Sequence, residues 1–279
     1  HLGSTLYAAV AGNVPATGKV TRFSVDAAGT LTNQGSASPG TNHLNGPIQL
    51  GSNGLDALFL LLGGPNQVTG MLTDGTGAVV QQVSQTPVGA GSLFGIDVFR
   101  NGTTDLVFMG DQGFGGNNDL WVLTYDRSVN PPTLTNGTQI LTPGVPGTVQ
   151  SLRVLGSRLY MGSNAVNATI TRYDIAGGTL INETNAFTYV GVGNVFRMLP
   201  VTHPTLGQLM LVAHRAPNGL SLFRVEASGN LTQLSDVGTG NNPNTISSAT
   251  LADGTVVVYV TTDNGVEAFL VDSTTGVLT

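Results

Sequence analysis

Apolar and polar positions repeat along the chain with a unit of about 50 residues. Each unit opens with a short strand in which one polar residue is flanked by apolar ones: Ile48-Gln49-Leu50, Ile96-Asp97-Val98, Leu152-Arg153-Val154, Phe196-Arg197-Met198 and Ala249-Thr250-Leu251. A near-continuous apolar run follows, as in Leu6-Tyr-Ala-Ala-Val10, Leu58-Phe-Leu-Leu-Leu62 and Val256-Val-Val-Tyr-Val260. Strands covered on both faces have this composition. Third comes a segment of β-formers ending in an acid: Asp26, Asp74, Asp126, Asp174, Glu226 or Asp272. A Gly or Pro turn and often Leu-Thr lead into a fourth strand, as in Gly29-Thr-Leu-Thr32 and Gly229-Asn-Leu-Thr232.

Four strands per unit, A to D with A innermost, repeated about six times, predict an all-β single domain, a β-propeller over 1–279. The expected blades are approximately 1–40, 41–87, 88–142, 143–187, 188–238 and 239–279. The chain is read as entering at strand B of the first blade and reaching barely into the last D strand at Thr279. The six acids could form a ring of catalytic or metal-binding groups. Their placement at the mouth of a Gly turn favours a plainer role, bonding the turn's own amides to hold each hairpin.

Composition narrows the function. Sixteen acids against ten bases give a formal charge of −6, with Lys19 the sole lysine. A nucleic-acid or anionic-membrane partner needs a clustered basic face, and no such run exists. No apolar stretch approaches the roughly 20 residues of a membrane-spanning helix. Without cysteine there is no disulfide, thiol catalysis or Cys-ligated metal. Five Asn-x-Ser/Thr sequons, at Asn101, Asn136, Asn167, Asn182 and Asn230, point to a secreted glycoprotein.

The polar A-strand residues Gln49, Asp97, Arg153, Arg197 and Thr250 are expected at similar depth beside the propeller axis. Arginines there could clamp a carboxylate or stabilise an oxyanion, because the guanidinium fork matches such groups. An inter-blade Arg–Asp pair is the structural alternative. His43 in a D–A loop and His214 in a B–C loop, the latter beside Arg215, are candidate general bases on that mouth. His203 is expected to be structural, and His1 offers a weak copper chelate. The loop Asp111 to Asp119 has the oxygen-rich look of a calcium site without a known calcium-loop spacing. No cofactor is otherwise required, and no Gly-x-Ser-x-Gly, phosphate loop or His-Glu-x-x-His is present.

The blade pattern, an apolar B strand such as Leu6-Tyr-Ala-Ala-Val10, a C strand ending in Asp and then Gly-x-Leu-Thr, resembles the lactonase-type propellers. These include bacterial 6-phosphogluconolactonase and the fungal 3-carboxymuconate cyclases. The resemblance covers nearly the whole chain and implies functional His, Arg and acidic residues at the channel mouth, with His43, Arg153 and Arg197 most similar in placement. Members generally have seven blades and a Pro-His-Ser-type loop, where this chain shows about six and lacks that motif.

Two readings follow. One is an enzyme acting on a carboxylated small molecule or uronate-containing sugar by lactone hydrolysis, cyclisation or β-elimination, with His43, His214, Arg153 and Arg197 catalytic and Gln49, Asp97, Arg215 and Thr250 binding substrate. The other is a non-catalytic, monomeric module binding glycans or protein through loops such as Asn241 to Thr245 and Gly115 to Asn118. A lectin would carry an aromatic platform in each blade. The single tryptophan, Trp121, falls within a C strand, which tilts the balance to the enzyme.

Overall fold

The computed structural model describes residues 5–10, 19–26, 30–37, 48–54, 56–62, 67–86, 93–111, 119–141 and 147–279, and among them no helix occurs. The chain forms two compact units, 1–142 and 143–279.

Unit 1 holds three antiparallel sheets in sequence order. The first is β1 (Thr5–Val10), β2 (Lys19–Val25) and β3 (Leu31–Ala37). The second is β4 (Ile48–Ser52), β5 (Ala57–Leu62), β6 (Gln67–Thr73) and β7 (Val79–Gln85). The third is β8 (Leu93–Asn101), β9 (Thr104–Asp111), β10 (Asp119–Asp126) and β11 (Thr133–Leu141).

Unit 2 repeats the plan. Its blades are β12 (Thr148–Leu155), β13 (Arg158–Asn164), β14 (Thr169–Ala176) and β15 (Thr179–Thr188), then β16 (Asn194–His203), β17 (Gly207–Arg215), β18 (Gly219–Val225) and β19 (Leu231–Gly238), these two joined into one sheet by the pairing of Asn164 with Asn194. The last is β20 (Thr245–Thr250), β21 (Val256–Thr262) and β22 (Gly265–Val271), to which Leu278 adds a bridge at Val271. These are the up-and-down blades of an all-β propeller. The fourth C strand, read from the sequence as short, runs a full eight residues.

The apolar B strands explain how blades stack. In β5, Ala57, Phe59 and Leu61 join Val107, Met109, Trp121 and Tyr125 of the third sheet. The intervening Leu58 and Leu60 join Tyr7 and Val20 of the first. Strand β17 does the same: Met210 and Val212 pack toward Tyr160 and Ile170, while Leu209, Leu211 and Ala213 pack toward Val256, Val258 and Val260. Alternation at period two thus puts one uninterrupted apolar strand into two cores. Each fully buried Leu or Phe contributes about 1.5–3 kcal/mol. Outer strands are the reverse: β3 reads Leu-Thr-Asn-Gln-Gly-Ser-Ala and is exposed along most of its length, a polar edge that discourages pairing with other chains.

The turn acids behave as the sequence suggests at four of six positions. Oδ1 of Asp26 accepts the Thr30 amide at 2.7 Å, that of Asp74 the Thr76 and Ala78 amides at 2.8 and 2.9 Å, and that of Asp126 the Ser128 amide at 2.8 Å. Asp272 takes the Thr274 and Thr275 amides at 3.0 and 2.7 Å. The donors hold three of these carboxyls below their usual range: the Thr76 hydroxyl foremost at Asp74, the Ser128 hydroxyl at Asp126 and the Thr275 amide at Asp272. Asp174 departs, accepting from Asn182 Nδ2 at 3.1 Å with Arg158 Nε 3.6 Å away, and Glu226 accepts instead from Arg224 Nε at 3.0 Å.

Unit 1 also buries a charged network that the sequence did not announce. Asp105 in β9 is fully buried, with Arg127 Nε 3.0 Å from its Oδ2 and Asn53 Nδ2 donating to it at 3.0 Å. Arg127 reaches Asp56 at 3.3 Å and donates to the Gly102 carbonyl at 2.8 Å. Burial pushes the Asp105 carboxyl up, against the lowering pull of Asn53 and Arg127. Burial, with help from the charges of Asp105 and Asp56, raises the neighbouring Tyr125 hydroxyl to about 12.

Candidate functional site

The inner strands β12 and β16 of unit 2 each carry a bulge near the start, between Val149 and Ser151 and between Val195 and Arg197. A bulge re-aims the side chains that follow it, and bulges concentrate beside functional sites. The two strands are fastened at this level. Ser151 Oγ donates to the Val195 carbonyl at 2.9 Å, and Arg153 Nε donates to the Met198 carbonyl at 3.0 Å. Arg153 and Arg197 therefore lie side by side, although the hairpins that carry them differ in length: Arg153 pairs with Tyr160, Arg197 with Ala213.

Arg215, the last residue of β17, joins Arg197 at the ring of Phe196, which is itself buried, and both Arg153 and Arg215 act on Arg197 as like charges. The Arg215 Cζ sits 3.5 Å from the Phe196 ring centroid and that of Arg197 4.3 Å, so one ring supports two cations. Arg197 Nη1 also donates to the Phe196 carbonyl at 2.9 Å. Arg215 is steadied by donation to the Pro243 carbonyl at 3.3 Å and to Asn244 Oδ1 at 3.0 Å.

Electrostatics mark this group as unusual. Burial first, then the like charges of Arg153 and Arg215, bring Arg197 down to about 10. Burial lowers Arg215 too, opposed by the charge of Asp263. Concentrating positive charge in an acidic chain creates a place where an anion is favoured. The planar forks suit a carboxylate.

His214 requires a correction. The sequence suggests a loop position and a general base, whereas the residue lies in β17, 2% exposed. Its Nδ1 is 3.0 Å from the Pro217 carbonyl and its Nε2 2.9 Å from Asp236 Oδ1. Ser221 Oγ donates to the same Asp236 oxygen at 2.9 Å. Burial works to raise the Asp236 carboxyl, but the bonds from His214 and Ser221 and the imidazole's charge hold it below its ordinary range. With both ring nitrogens engaged by oxygens, His214 ties the β17–β18 turn to β19 rather than offering a nitrogen to substrate. A residue that follows the apolar run Leu209 to Ala213 is carried on into the same strand, which is why the loop assignment failed.

The remaining candidates are placed as follows. Asp97 is in β8 of unit 1, 9% exposed. Gln49 falls in β4, its side chain outside the described residues, as are His1 and His43. Thr250 ends β20, opposite Val256, and is exposed. His203, 2% exposed at the end of β16, accepts the Thr205 and Leu206 amides on Nδ1 at 3.3 Å each, a structural turn cap. Asp111 and Asp119 are buried strand ends, and Asp119 accepts from Gln139 Nε2; residues 112–118 of that loop lie outside the described residues. Of the sequon asparagines, Asn101, Asn167, Asn182 and Asn230 are exposed, and the Asn136 side chain is not described. Phe196 and Asp236 were missed, because pairing a phenyl face with two cations depends on register that spacing does not reveal.

No protein-family model matches the sequence, and neither does any curated protein. Solved structures do share the fold. A candidate 6-phosphogluconolactonase from Bacteroides fragilis superposes with a TM-score of 0.70 at 19% identity, over 99% of this chain and 80% of that one. A second, from Bacteroides uniformis, gives 0.72 at 14% identity over the same shares, 99% and 80%. The periplasmic gluconolactonase of Pseudomonas aeruginosa gives 0.66 at 18%, again over 99% and 80%. The fold is thus that of the lactonase-type propellers. At these identities the likeness speaks for fold and not for chemistry.

Proposed function

We propose that this chain is a secreted, lactonase-like propeller that binds a carboxylated small molecule or uronate-containing sugar at Arg153, Arg197 and Arg215 and opens, forms or eliminates across a C–O bond there. The observation that carries the reading is the pair of guanidinium groups, Arg197 and Arg215, on the Phe196 ring with Arg153 close enough to repel Arg197, whose affinity for its proton is lowered first by burial and then by these like charges. One fork holds the carboxylate. A second stabilises negative charge on the carbonyl oxygen of a lactone as water adds and the ring C–O bond breaks. The lactonase-type neighbours support this chemistry, and the periplasmic one supports export. No cofactor enters the scheme, the partner is a small molecule or carbohydrate, and the protein works as a monomer.

A second reading has its own support. With His214 committed to Asp236 and Pro217, its imidazole is not offered to a ligand on the arginines, which suits a non-catalytic carboxylate-binding module. Turnover separates the two.

The test is titration with gluconate, galacturonate and their lactones, followed by assay of ring opening. Arg153→Ala should weaken anion binding by about 10- to 100-fold, the worth of one charge-assisted bond, with the fold retained. Equal affinity in the variant removes the site, and binding without turnover selects the module.

Secretion carries its own expectation. Asn101 closes the exposed β8–β9 turn, Asn-Gly-Thr, and is the first acceptor we assign. Protein secreted from a eukaryotic host should lose one glycan mass in Asn101→Gln after comparison of intact masses. An unchanged mass rejects that site.

A further inference from the structure

In each unit one sheet bears a tyrosine directly opposite an arginine on the next strand: Tyr7 of β1 faces Arg22 of β2, and Tyr160 of β13 faces Arg172 of β14. Both pairs clasp the hairpin turn of the next sheet. Tyr7 OH donates to the Gly77 carbonyl at 2.7 Å and Arg22 Nη1 to the Thr76 carbonyl at 2.8 Å. Tyr160 OH donates to the Gly229 carbonyl at 2.9 Å and Arg172 Nη1 to the Ser228 carbonyl. Gly77 and Gly229 each follow the turn acid by three residues and take φ of 79° and 89°. The clasps are the same device used twice, so their neighbours correspond position by position.

The correspondence breaks at three positions around one ring-sized space. Val20 pairs with Ala37 in the first clasp, where Ile170 pairs with Phe187 in the second. The strand after the turn starts with Val79 in one and Leu231 in the other, each opposite the last residue of the strand before it. In unit 2 the Phe187 ring fills the space, 4.7 Å from Phe223 and 5.0 Å from Tyr189, packed in one cluster with Ile170 and Leu231. In unit 1, with Ala and Val in those places, a cavity of about 170 Å³ opens, lined among others by Tyr7, Val20, Arg22, Ser36, Ala37 and Val79.

We propose that this cavity is a binding site for a single-ring aromatic carrying an oxygen acceptor or carboxylate, the benzoate class, seated where Phe187 sits in the second clasp. The size fits, since an apolar cavity on the order of 150 Å³ takes up benzene. The chemistry fits as well: aliphatic walls at Val20, Ala37 and Val79 accept the ring, and Arg22 stands at the rim. Arg22 spends Nη1 on Thr76 and one Nη2 hydrogen on the Gln34 carbonyl at 2.9 Å, and its Nε–H and second Nη2–H are the donors that would meet the ligand's oxygen. Apolar walls with a few convergent polar groups are the usual make-up of small-molecule sites. This site is separate from the arginine group and stands without the function proposed above.

The experiment is amide NMR of the full chain titrated with benzoate, with acetate as the ring-free control. Benzoate should shift Ala37, Gly77 and Val79, and acetate should leave them still. Ala37→Phe supplies the ring from within. It should weaken benzoate binding at least tenfold while the melting temperature holds or rises. Val79→Leu, which narrows the same space, serves if that variant does not fold. Benzoate shifts confined to the β12–β16 arginines, equal shifts from acetate, or undiminished binding in the cavity-filled variants would each overturn the proposal.

Discussion

Arg127→Ala should cost the protein about 3–5 kcal/mol of stability at neutral pH, the loss typical when one partner of a buried ion pair is removed. Asp105 is fully buried, and Arg127 is 10% exposed at its side chain, so water does not replace the missing guanidinium. What remains is Asn53, whose one amide is shared with Asp56. Burial already raises the Asp105 carboxyl in the intact protein, and without Arg127 it rises further. A carboxyl raised on folding contributes stability below its unfolded value that is lost as pH climbs through the folded one. The defect of Arg127→Ala should therefore be smaller at pH 4.5 than at pH 7, by urea unfolding at both. Adding Asp105→Asn to Arg127→Met should recover much of the loss, because neither charge is then stranded. A loss under 1 kcal/mol, or one independent of pH, would show that the pair is not what holds this turn.

The architecture was legible in the sequence because the pattern that builds it is local. Runs such as Leu58 to Leu62 and Leu209 to Val212 announce strands covered on both faces, and their alternation delivers two cores at once. Turn acids followed by a glycine- or proline-containing turn were read correctly at Asp26, Asp74, Asp126 and Asp272 because that bond closes within a few residues. Asp174 and Glu226 escaped because arginines from neighbouring positions, Arg158 and Arg224, compete for the carboxylate.

The site was legible in part. Arg153 and Arg197 stood out as the polar residue in otherwise apolar A strands, and the structure sets them side by side. Arg215 joined them by chain proximity to His214, which itself proved to serve the fold. Phe196, the surface on which two of the cations rest, looked like an ordinary apolar flank. Its role depends on a bulge at that position, and bulges leave no compositional trace here. The Arg127 network and the clasp cavity are likewise products of contacts between successive blades, tens of residues apart in sequence.

Arg197→Met should leave the unliganded protein at least as stable as the original and abolish its stabilisation by carboxylated ligands. A cation brought down from 12.5 to about 10 is disfavoured in the folded state, foremost by burial and then by Arg153 and Arg215. At about 1.36 kcal/mol for each unit, the charged side chain opposes folding by on the order of 3 kcal/mol. The sign is that of a cation lowered on folding: the opposition is complete at every pH below about 10 and is relieved only above it. Methionine keeps a flexible apolar stem against Phe196 and removes the charge, giving up the bond to the Phe196 carbonyl and the ring contact in return. Like charges held together against their own repulsion are what an anion site needs, and a bound carboxylate both cancels that repulsion and stabilises the fold in proportion to its occupancy. Thermal melting with and without gluconate or galacturonate reads both halves. The original protein should gain in melting temperature with ligand, and Arg197→Met should start level or higher and gain nothing. A variant that melts far lower without ligand would make Arg197 a structural partner and end the anion-site reading.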